Sequence, residues 1–114
     1  MRYLLLVCGE EAADPAPEPD PEAEPCWMPW KREMDARGID SCNGGRLFPV
    51  SAATTVRNRE GEVLLSDGPF AETKEQIIGY DEIECANLDE AIEAASLHPA
   101  ATWGSIEVRP ILAD

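Results

Sequence analysis

An α+β fold is predicted because two segments with helical apolar spacing alternate with five strand-like segments, in the order β-α-β-β-β-α-β. That order is the split βαβ, or ferredoxin-like, pattern with an extra hairpin. The assembly is predicted from the first strand, which is apolar on both of its faces, whereas the helices of such a sheet cover one face only. A second copy packed sheet against sheet would cover the other face, so the sequence predicts a dimeric α+β barrel.

The length of 114 residues suits one domain over 1–114, and the net charge of −14 is unevenly spread. Residues 10–25 carry seven acids and no base. Nucleic acids and anionic membranes both require a basic surface, so this composition argues against either partner. No apolar run approaches the roughly 18 residues of a membrane span. We expect a cytoplasmic protein with reduced thiols, because the four cysteines show no paired spacing.

The first half of the chain predicts a central strand, a loop and a helix. Arg2–Cys8 is a continuous apolar run, typical of a strand buried on both faces. Residues 10–25 are an acidic, Pro-rich loop that has nothing to bury and is expected to be extended or disordered. A helix is predicted over Trp27–Arg37 and is ended by Gly38. Its buried face follows an i, i+3, i+7 spacing: Trp27, Trp30 and Met34.

The middle of the chain predicts a loop, a hairpin and a further strand. We expect a loop over Ser41–Gly45, then strands over Ala53–Arg57 and Glu62–Leu65 joined by a turn. Ile77–Cys85 is the next strand. Its apolar phase changes near Asp81, which either a bulge or two half-buried faces would explain.

A second helix and a last strand complete the prediction. Asn87 is expected to cap the helix with Glu90 in capping-box spacing, and Pro99 to end it. The predicted buried stripe is Leu88, Ala91, Ile92 and Ala95. Ser105–Ile111 is the final strand, in which apolar and charged residues alternate.

The most specific stretch is Asp67–Glu75, with the sequence DGPFAETKE. Weaker motifs accompany it in order: YLLL at 3–6, GGRL at 44–47, TVR at 55–57, GY at 79–80, LDEA at 88–91 and EVRP at 107–110. Together they resemble the DGPF branch of the YCII-related family over nearly the whole chain. The chain departs from the family at the acidic loop and at Asp81 and Glu82, where apolar residues would be expected.

The resemblance implies a dimeric α+β barrel and an association with extracytoplasmic-function sigma factors, hence a role in regulating transcription initiation. It identifies no reaction. Other members are suspected of enzyme activity because a histidine and an acidic partner lie near the first helix, but residues 20–40 of this chain contain no histidine. That dyad does not carry over, and whether the chain is an enzyme stays open.

A candidate ligand-binding site is predicted around the signature loop and two strand arginines: Asp67, Gly68, Pro69, Phe70, Glu72, Lys74, Glu75, Arg57 and Arg109. Two interpretations stay open. The loop is either a rigid turn pinned to the core by Phe70, or the mouth of a pocket between sheet and helices where a carboxylate and Lys74 exchange protons. Arg57 and Arg109 would hold a small anionic ligand if they pointed into the barrel.

The remaining polar motifs favour structural roles. His98 precedes Pro99 and is expected to stabilise the end of the second helix. Asn43–Arg46 is expected to be a turn and no phosphate cradle, because it matches neither glycine-rich phosphate motif. No metal site and no cofactor are expected.

Three functional hypotheses follow. The favoured one is a homodimeric small-ligand-binding or accessory protein. The second is a small enzyme that uses Asp67 and Lys74 for acid–base chemistry. The third is an interaction module whose acidic loop binds a basic protein partner.

Overall fold

The computed structural model describes residues 1–11 and 20–113. Its strands and α-helices are β1 (Arg2–Gly9), α1 (Met28–Ala36), β2 (Asp40–Arg46), β3 (Thr54–Arg59), β4 (Glu62–Asp67), β5 (Gln76–Glu84), α2 (Leu88–Ser96) and β6 (Ser105–Pro110). Short 3-10 helices lie at Val50–Ala52 and Pro99–Thr102. The part of the chain that is described contains no helix long and apolar enough to cross a membrane.

Four strands form one antiparallel sheet in the order β2-β5-β1-β6, and β3 pairs with β4 in a separate two-stranded sheet. The α+β prediction is therefore confirmed. With the β3–β4 hairpin set aside, the strand order is compatible with the ferredoxin-like arrangement. The predicted extra hairpin is present as well. It leaves the main sheet at the end where β2 finishes and β5 begins.

Both helices cover the same face of the main sheet. Tyr3, Leu5 and Ile83 are buried beneath them, together with Trp30 and Met34 of α1. The indole Nε1 of Trp30 donates to the Ala94 carbonyl oxygen at 2.9 Å, which ties α1 to α2. Burial of this apolar side of the sheet is the main source of the domain's stability.

Within residues 1–11 and 20–113, no helix packs on the opposite face of the sheet. We call it the open face and define it by Leu4, Leu6, Cys8 and Tyr80, which are each half-buried. Leu6 lies directly across from Tyr80 in the β1–β5 register, so these residues are neighbours on one surface. Strand β1 is therefore apolar on both faces, as predicted. One face is covered by the helices, and the other is the open face.

Residues 40–46 form a strand, so the predicted loop over Ser41–Gly45 is wrong. Ser, Asn and Gly have little intrinsic preference for strands, and β2 is an edge strand that takes its geometry from pairing with β5. Gly44 shows why this composition is needed. A Cβ at Gly44 would overlap the carboxylate of Asp81 and lie 2.9 Å from the Tyr80 carbonyl oxygen.

The change of apolar phase in β5 arises because both of its faces are partly buried. The register with β1 is continuous from Glu84 to Gly79, and its shift at Ile78, opposite Val7 and Cys8, lies outside the stretch from Tyr80 to Ile83 where the phase changes. The register with β2 shifts between Ser41 and Asn43, where the extra residue belongs to β2. Tyr80 belongs to the open face, whereas Asp81 and Ile83 lie on the helix-covered face. Both faces of β5 are thus partly buried.

The predicted helix ends agree with the structure more closely than the predicted buried faces of the helices do. Gly38 adopts φ +73° just after α1, and the Asn87 Oδ1 accepts the Glu90 N–H at 3.0 Å, which confirms both predicted helix ends. The buried faces differ. Trp27 is 44% exposed, and in α2 small residues are buried while Leu88 and Ile92 are about half exposed: the buried set is Ala91, Ala94 and Ala95.

Half of the acidic loop lies outside the described residues. The prediction that 10–25 is extended or disordered is untested for residues 12–19, and the described part contains a turn in which the Ala23 N–H donates to the Asp20 carbonyl oxygen at 3.1 Å. The two described ends are exposed.

Candidate functional site

The signature loop connects β4 to β5 and is fixed at its beginning by backbone contacts. Gly68 adopts φ +92°, a conformation that suits glycine, and its N–H donates to the Ala53 carbonyl oxygen at 2.7 Å. The Thr55 hydroxyl donates to the Gly68 carbonyl oxygen at 2.8 Å. These bonds close the base of the β3–β4 hairpin, so the first part of the signature is a turn.

Phe70 does not pin the loop to the core of its own chain. Its side chain is 82% exposed, so the expectation of an anchoring role is wrong within a single protomer. The next residues are ordered by polar contacts instead: the Thr73 hydroxyl donates to the Glu75 carbonyl oxygen, and the Gln76 side-chain amide donates to the Thr73 carbonyl oxygen at 2.8 Å.

A groove of about 540 Å³ lies where the loop meets two distant segments. We call it the signature groove; its lining residues are Glu10, Glu11, Val50, Pro69, Glu72, Thr73, Lys74 and Gln76. Lys74 Nζ lies 3.3 Å from Glu10 Oε1, and the Val50 N–H donates to Glu11 Oε1 at 2.7 Å. The groove is therefore assembled from the residues after β1, the 3-10 helix Val50–Ala52 and the signature loop.

The signature groove departs from the expected pocket in position and in membership. It lies at one end of the main sheet, not between the sheet and the helices. Of the predicted residues, it brings together Pro69, Glu72 and Lys74, whereas Asp67, Gly68, Phe70 and Glu75 are not in its lining. The partner of Lys74 is Glu10, and sequence reasoning did not place Glu10 in the site.

The two strand arginines do not reach the signature groove. Arg109 is on the open face of β6, opposite Leu4, with 66% of its side chain exposed and its Nη1 3.4 Å from Glu107 Oε2. Arg57 is half-buried on β3. The structure thus places the two guanidinium groups on separate sheets, and they do not form a joint anion clamp in one chain.

His98 is buried and bound at both ring nitrogens. The Ala100 N–H donates to Nδ1 at 3.1 Å, which assigns the ring proton to Nε2, and Nε2 donates to Asp81 Oδ2 at 2.8 Å. Trp30 packs edge-on against the ring with centroids 5.0 Å apart. Neither nitrogen is free to exchange a proton with a substrate, so this pair is structural. His98 caps the 3-10 helix that follows, not the end of α2.

The Asp81–His98 pair also explains the acid in β5. Asp81 shares the helix-covered face with Ile83, and an acid on a covered face needs a polar partner. The chain has a single histidine. The need of Asp81 for a polar partner was therefore the signal in the sequence that could have identified His98 as that partner. Glu82 on the opposite face pairs with Arg2.

The thiols differ in environment. Burial raises the pKa of the Cys8 thiol on the open face, and the nearby carboxylates of Glu107 and Glu75 raise it further. Burial likewise raises the pKa of Cys85, with a contribution from Glu90. Raised values make a thiol less reactive, so these two cysteines are poor candidates for a nucleophile.

One group of potential metal ligands lies at the far end of the sheet. Asp40, Cys42 and Glu84 place their ligand atoms within 4.8 Å of one another, and all three residues are exposed. Three exposed ligands fall short of the four that a structural zinc site uses. A second groove, of about 430 Å³, lies between α2 and β6 and is lined mainly by apolar residues, including Ile92, Ala95, Ile106 and Val108.

Comparison with known proteins identifies the family of the chain. A sequence model of the YCII-related domain matches residues 1–113. An uncharacterised protein of Rhizobium meliloti (strain 1021) is 50% identical over 129 aligned positions, which cover 97% of this chain and 92% of that protein. The match extends over the sheet, both helices and the signature loop, and the chain belongs to the YCII-related domain family.

Proposed function

We propose that this YCII-related chain, of the DGPF branch by its residues 67–75, is a homodimer that binds a small molecule in the signature groove. The observation that carries the proposal is the assembly of that groove. Three segments far apart in sequence meet there, and the Lys74–Glu10 and Glu11–Val50 contacts hold them together. A turn with only a structural role would not require the other two segments.

The size and chemistry of the groove support a small polar ligand. Its volume of about 540 Å³ lies within the range of roughly 300–1,000 Å³ usual for small-molecule sites. Lys74 offers a charged donor, while Glu10, Glu11 and Glu72 offer acceptors. An anionic ligand held by Arg57 and Arg109 has less support, because neither residue lines the groove.

The uncovered apolar face of the main sheet supports the homodimer. Leu4, Leu6 and Tyr80 on the open face are half-buried, and no described helix packs on them. A second copy on this face would bury them. Cys8 on that face is two residues from Glu10, so a second copy there would lie beside the groove.

Enzymatic acid–base chemistry has weaker support. Lys74 is 86% exposed and Glu10 is 62% exposed at the side chain, whereas a catalytic proton-transfer pair is usually shielded from water. An association with sigma factors rests on the resemblance alone, and no contact in the described residues favours it. The interaction-module hypothesis depends on the acidic loop, half of which lies outside the described residues.

The test combines oligomeric state with ligand-dependent stability. Light scattering after size exclusion should give the mass of a dimer at tens of micromolar. A panel of small carboxylates, phosphates, amines and amino acids is then screened by thermal unfolding, since a ligand at 100 times its Kd stabilises by about 2.7 kcal/mol.

Lys31 provides a matched control for Lys74, because it lies on α1 outside the signature groove whereas Lys74 lines the groove. We expect Lys74→Ala to abolish the thermal shift and Lys31→Ala to preserve it. A monomer at these concentrations would contradict the homodimer. A ligand whose binding survives Lys74→Ala and Glu72→Ala would place the site elsewhere.

A further inference from the structure

The last strand of the chain, β6, lies at an edge of the main sheet. It pairs with β1 on one side, and in the described part of the chain no strand pairs with its other side. The Ile111 N–H donates to the Arg2 carbonyl oxygen at 2.9 Å, and the residues of an antiparallel strand alternate between facing the neighbour and facing away from it. The backbone groups of Ile106, Val108 and Pro110 therefore point to the outer edge. An edge of this kind can pair with a further strand.

The helix α2 leaves apolar side chains exposed beside this edge. Ile92 is 51% exposed and lines the groove of about 430 Å³ between α2 and β6, together with Ile106 and Val108. Leu88 lies one helical turn before Ile92 on the same side of the helix and is 48% exposed. Both residues belong to the stripe that the sequence predicts to be buried, so part of the expected burial of α2 is missing along the edge at β6.

The charges of β6 are complementary to a second copy of the same strand. Glu107 and Arg109 flank Val108, and both side chains are more than half exposed. If β6 pairs antiparallel with itself about Val108, Glu107 of each copy lies opposite Arg109 of the other, at positions where side chains approach most closely. A register centred on Glu107 or on Arg109 instead places like charges opposite each other. The charges therefore select the register centred on Val108.

The backbone groups of the edge fit the same register. The outward N–H of each Val108 donates to the Val108 carbonyl oxygen of the other copy, and each Ile106 N–H donates to the carbonyl oxygen of the opposite Pro110. Proline has no N–H, so Pro110 can only accept at this position. Every outward N–H of β6 thus has an acceptor in the pairing about Val108.

We infer that β6 pairs with β6 of a second copy about a twofold axis at Val108, which joins two main sheets edge to edge. Both copies then carry their helices on the same side of the joined sheet, so the two α2 helices become neighbours and Leu88 and Ile92 are sheltered between them. The occupant is a second copy because the charges of β6 match themselves, in a chain whose net charge of −14 makes most surfaces repel each other. The contact uses the sheet edge, so it does not depend on the proposed homodimer.

The concentration dependence of the mass tests the edge pairing. One strand pair and a few apolar side chains form an interface at the small end of the usual range, so we expect a Kd on the order of hundreds of micromolar. In sedimentation equilibrium the mass should approach twice its value at tens of micromolar. Glu107→Arg puts a positive charge opposite Arg109 in both pairs, so we expect the Kd to rise by on the order of tenfold. Glu107→Arg combined with Arg109→Glu restores opposite charges, and the Kd should return to the wild-type value.

Glu62→Arg is the matched control for the change in net charge. It makes the same substitution at an exposed residue of β4, a strand of the separate two-stranded sheet. We expect it not to weaken the association. Circular dichroism of all variants checks that the fold is retained.

A disulfide between two different variants tests the register. Cys8→Ser, Cys26→Ser and Cys42→Ser remove the thiols that are not buried, and Glu107→Cys and Arg109→Cys are then made as separate proteins. When the two proteins are mixed, the proposed pairing places the introduced thiols opposite each other at a Cα distance of about 4.5 Å, which suits a disulfide, and leaves the other ion pair intact. We expect the oxidised mixture to give a covalent dimer on a non-reducing gel, and either protein alone to give far less.

The outcomes separate the edge pairing from the proposed homodimer. A wild-type mass that stays constant at high concentration, or a rise in mass that Glu107→Arg does not weaken, would overturn the edge pairing alone. A loss that the double substitution fails to restore, or that Glu62→Arg reproduces, would also overturn it. Equal cross-linking of the mixture and of the single variants would refute the register. A monomer at tens of micromolar contradicts only the homodimer, because the edge pairing would then convert monomers into dimers.

Discussion

The two faces of the main sheet are built from alternate residues of the same strands, yet they differ in how deeply their side chains are buried. On the helix-covered face, Leu5 and Ile83 are fully buried and Asp81 has His98 as its partner. On the open face, Leu4 and Leu6 are only half-buried. An apolar run therefore predicts burial, but it does not predict which element provides the burial. The two helices of this chain cover one face, and no described helix covers the other.

Truncation of adjacent leucines in β1 is the strongest test of this difference. Leu5→Ala deletes a fully buried side chain, so we expect a loss of about 3–5 kcal/mol in the free energy of unfolding. Leu6→Ala should cost about 1–2 kcal/mol at protein concentrations below the Kd of the proposed homodimer, and more above it. Urea unfolding at several concentrations measures both. Equal losses in dilute solution would mean that the two faces are equally packed.

Removal of His98 tests the polar part of the covered face. His98→Ala leaves the Ala100 N–H and the Asp81 carboxylate without their partner, and we expect a loss of about 2–3 kcal/mol. A double-mutant cycle with Asp81→Ala should give a coupling of about 1–2 kcal/mol, because both changes remove the same bond. Strictly additive losses would show that the contact contributes nothing to stability.

The edge strand offers a matched pair of glycines. Gly44→Ala places a methyl group against the Asp81 carboxylate and the Tyr80 carbonyl, so we expect destabilisation by about 1–3 kcal/mol. At Gly45 the nearest atom to a Cβ is 3.6 Å away, in the Tyr80 ring, and Gly45→Ala should change stability by less than about 1 kcal/mol. Thermal unfolding of both variants is the measurement, and a reversed order would contradict the described β2–β5 packing.

Thiol labelling gives the smallest and most local readout. The raised pKa of Cys8 and of Cys85 lowers their thiolate fraction at pH 8, so both should alkylate more slowly than the exposed Cys26 and Cys42, on the order of tenfold. Raising the pH increases the thiolate fraction of Cys8 and Cys85, so their alkylation rates approach those of Cys26 and Cys42. Peptide mass spectrometry after iodoacetamide treatment measures the four rates. Labelling of Cys85 at the rate of Cys26 would contradict its burial.

The features that could be predicted from sequence are those decided by local chemistry. The Asn87 cap, the positive φ at Gly38 and Gly68, and the β3–β4 hairpin depend on residues a few positions apart. The strand β2 could not be predicted this way, because Ser, Asn and Gly gain strand geometry only from β5.

The candidate site divides in the same manner. A turn in the signature loop was one of the two interpretations left open by the sequence, and Gly68 and Pro69 are its local signal. Its neighbours Glu10 and Val50 come from segments far away in the sequence. The bond between His98 and Asp81 joins residues from different elements as well. Local propensity carries no information about such tertiary contacts, because they form only when the strands pair into the sheet.

The position of β1 has a consequence for how this protein is made. This strand is residues 2–9, yet its two neighbours in the sheet are residues 76–84 and 105–110. A ribosome releases β1 before β5 and β6, so the central strand stays unpaired until those two strands have been made. Leu4, Leu5 and Leu6 are then accessible to other nascent chains and to chaperones, and contacts of such long sequence separation form slowly.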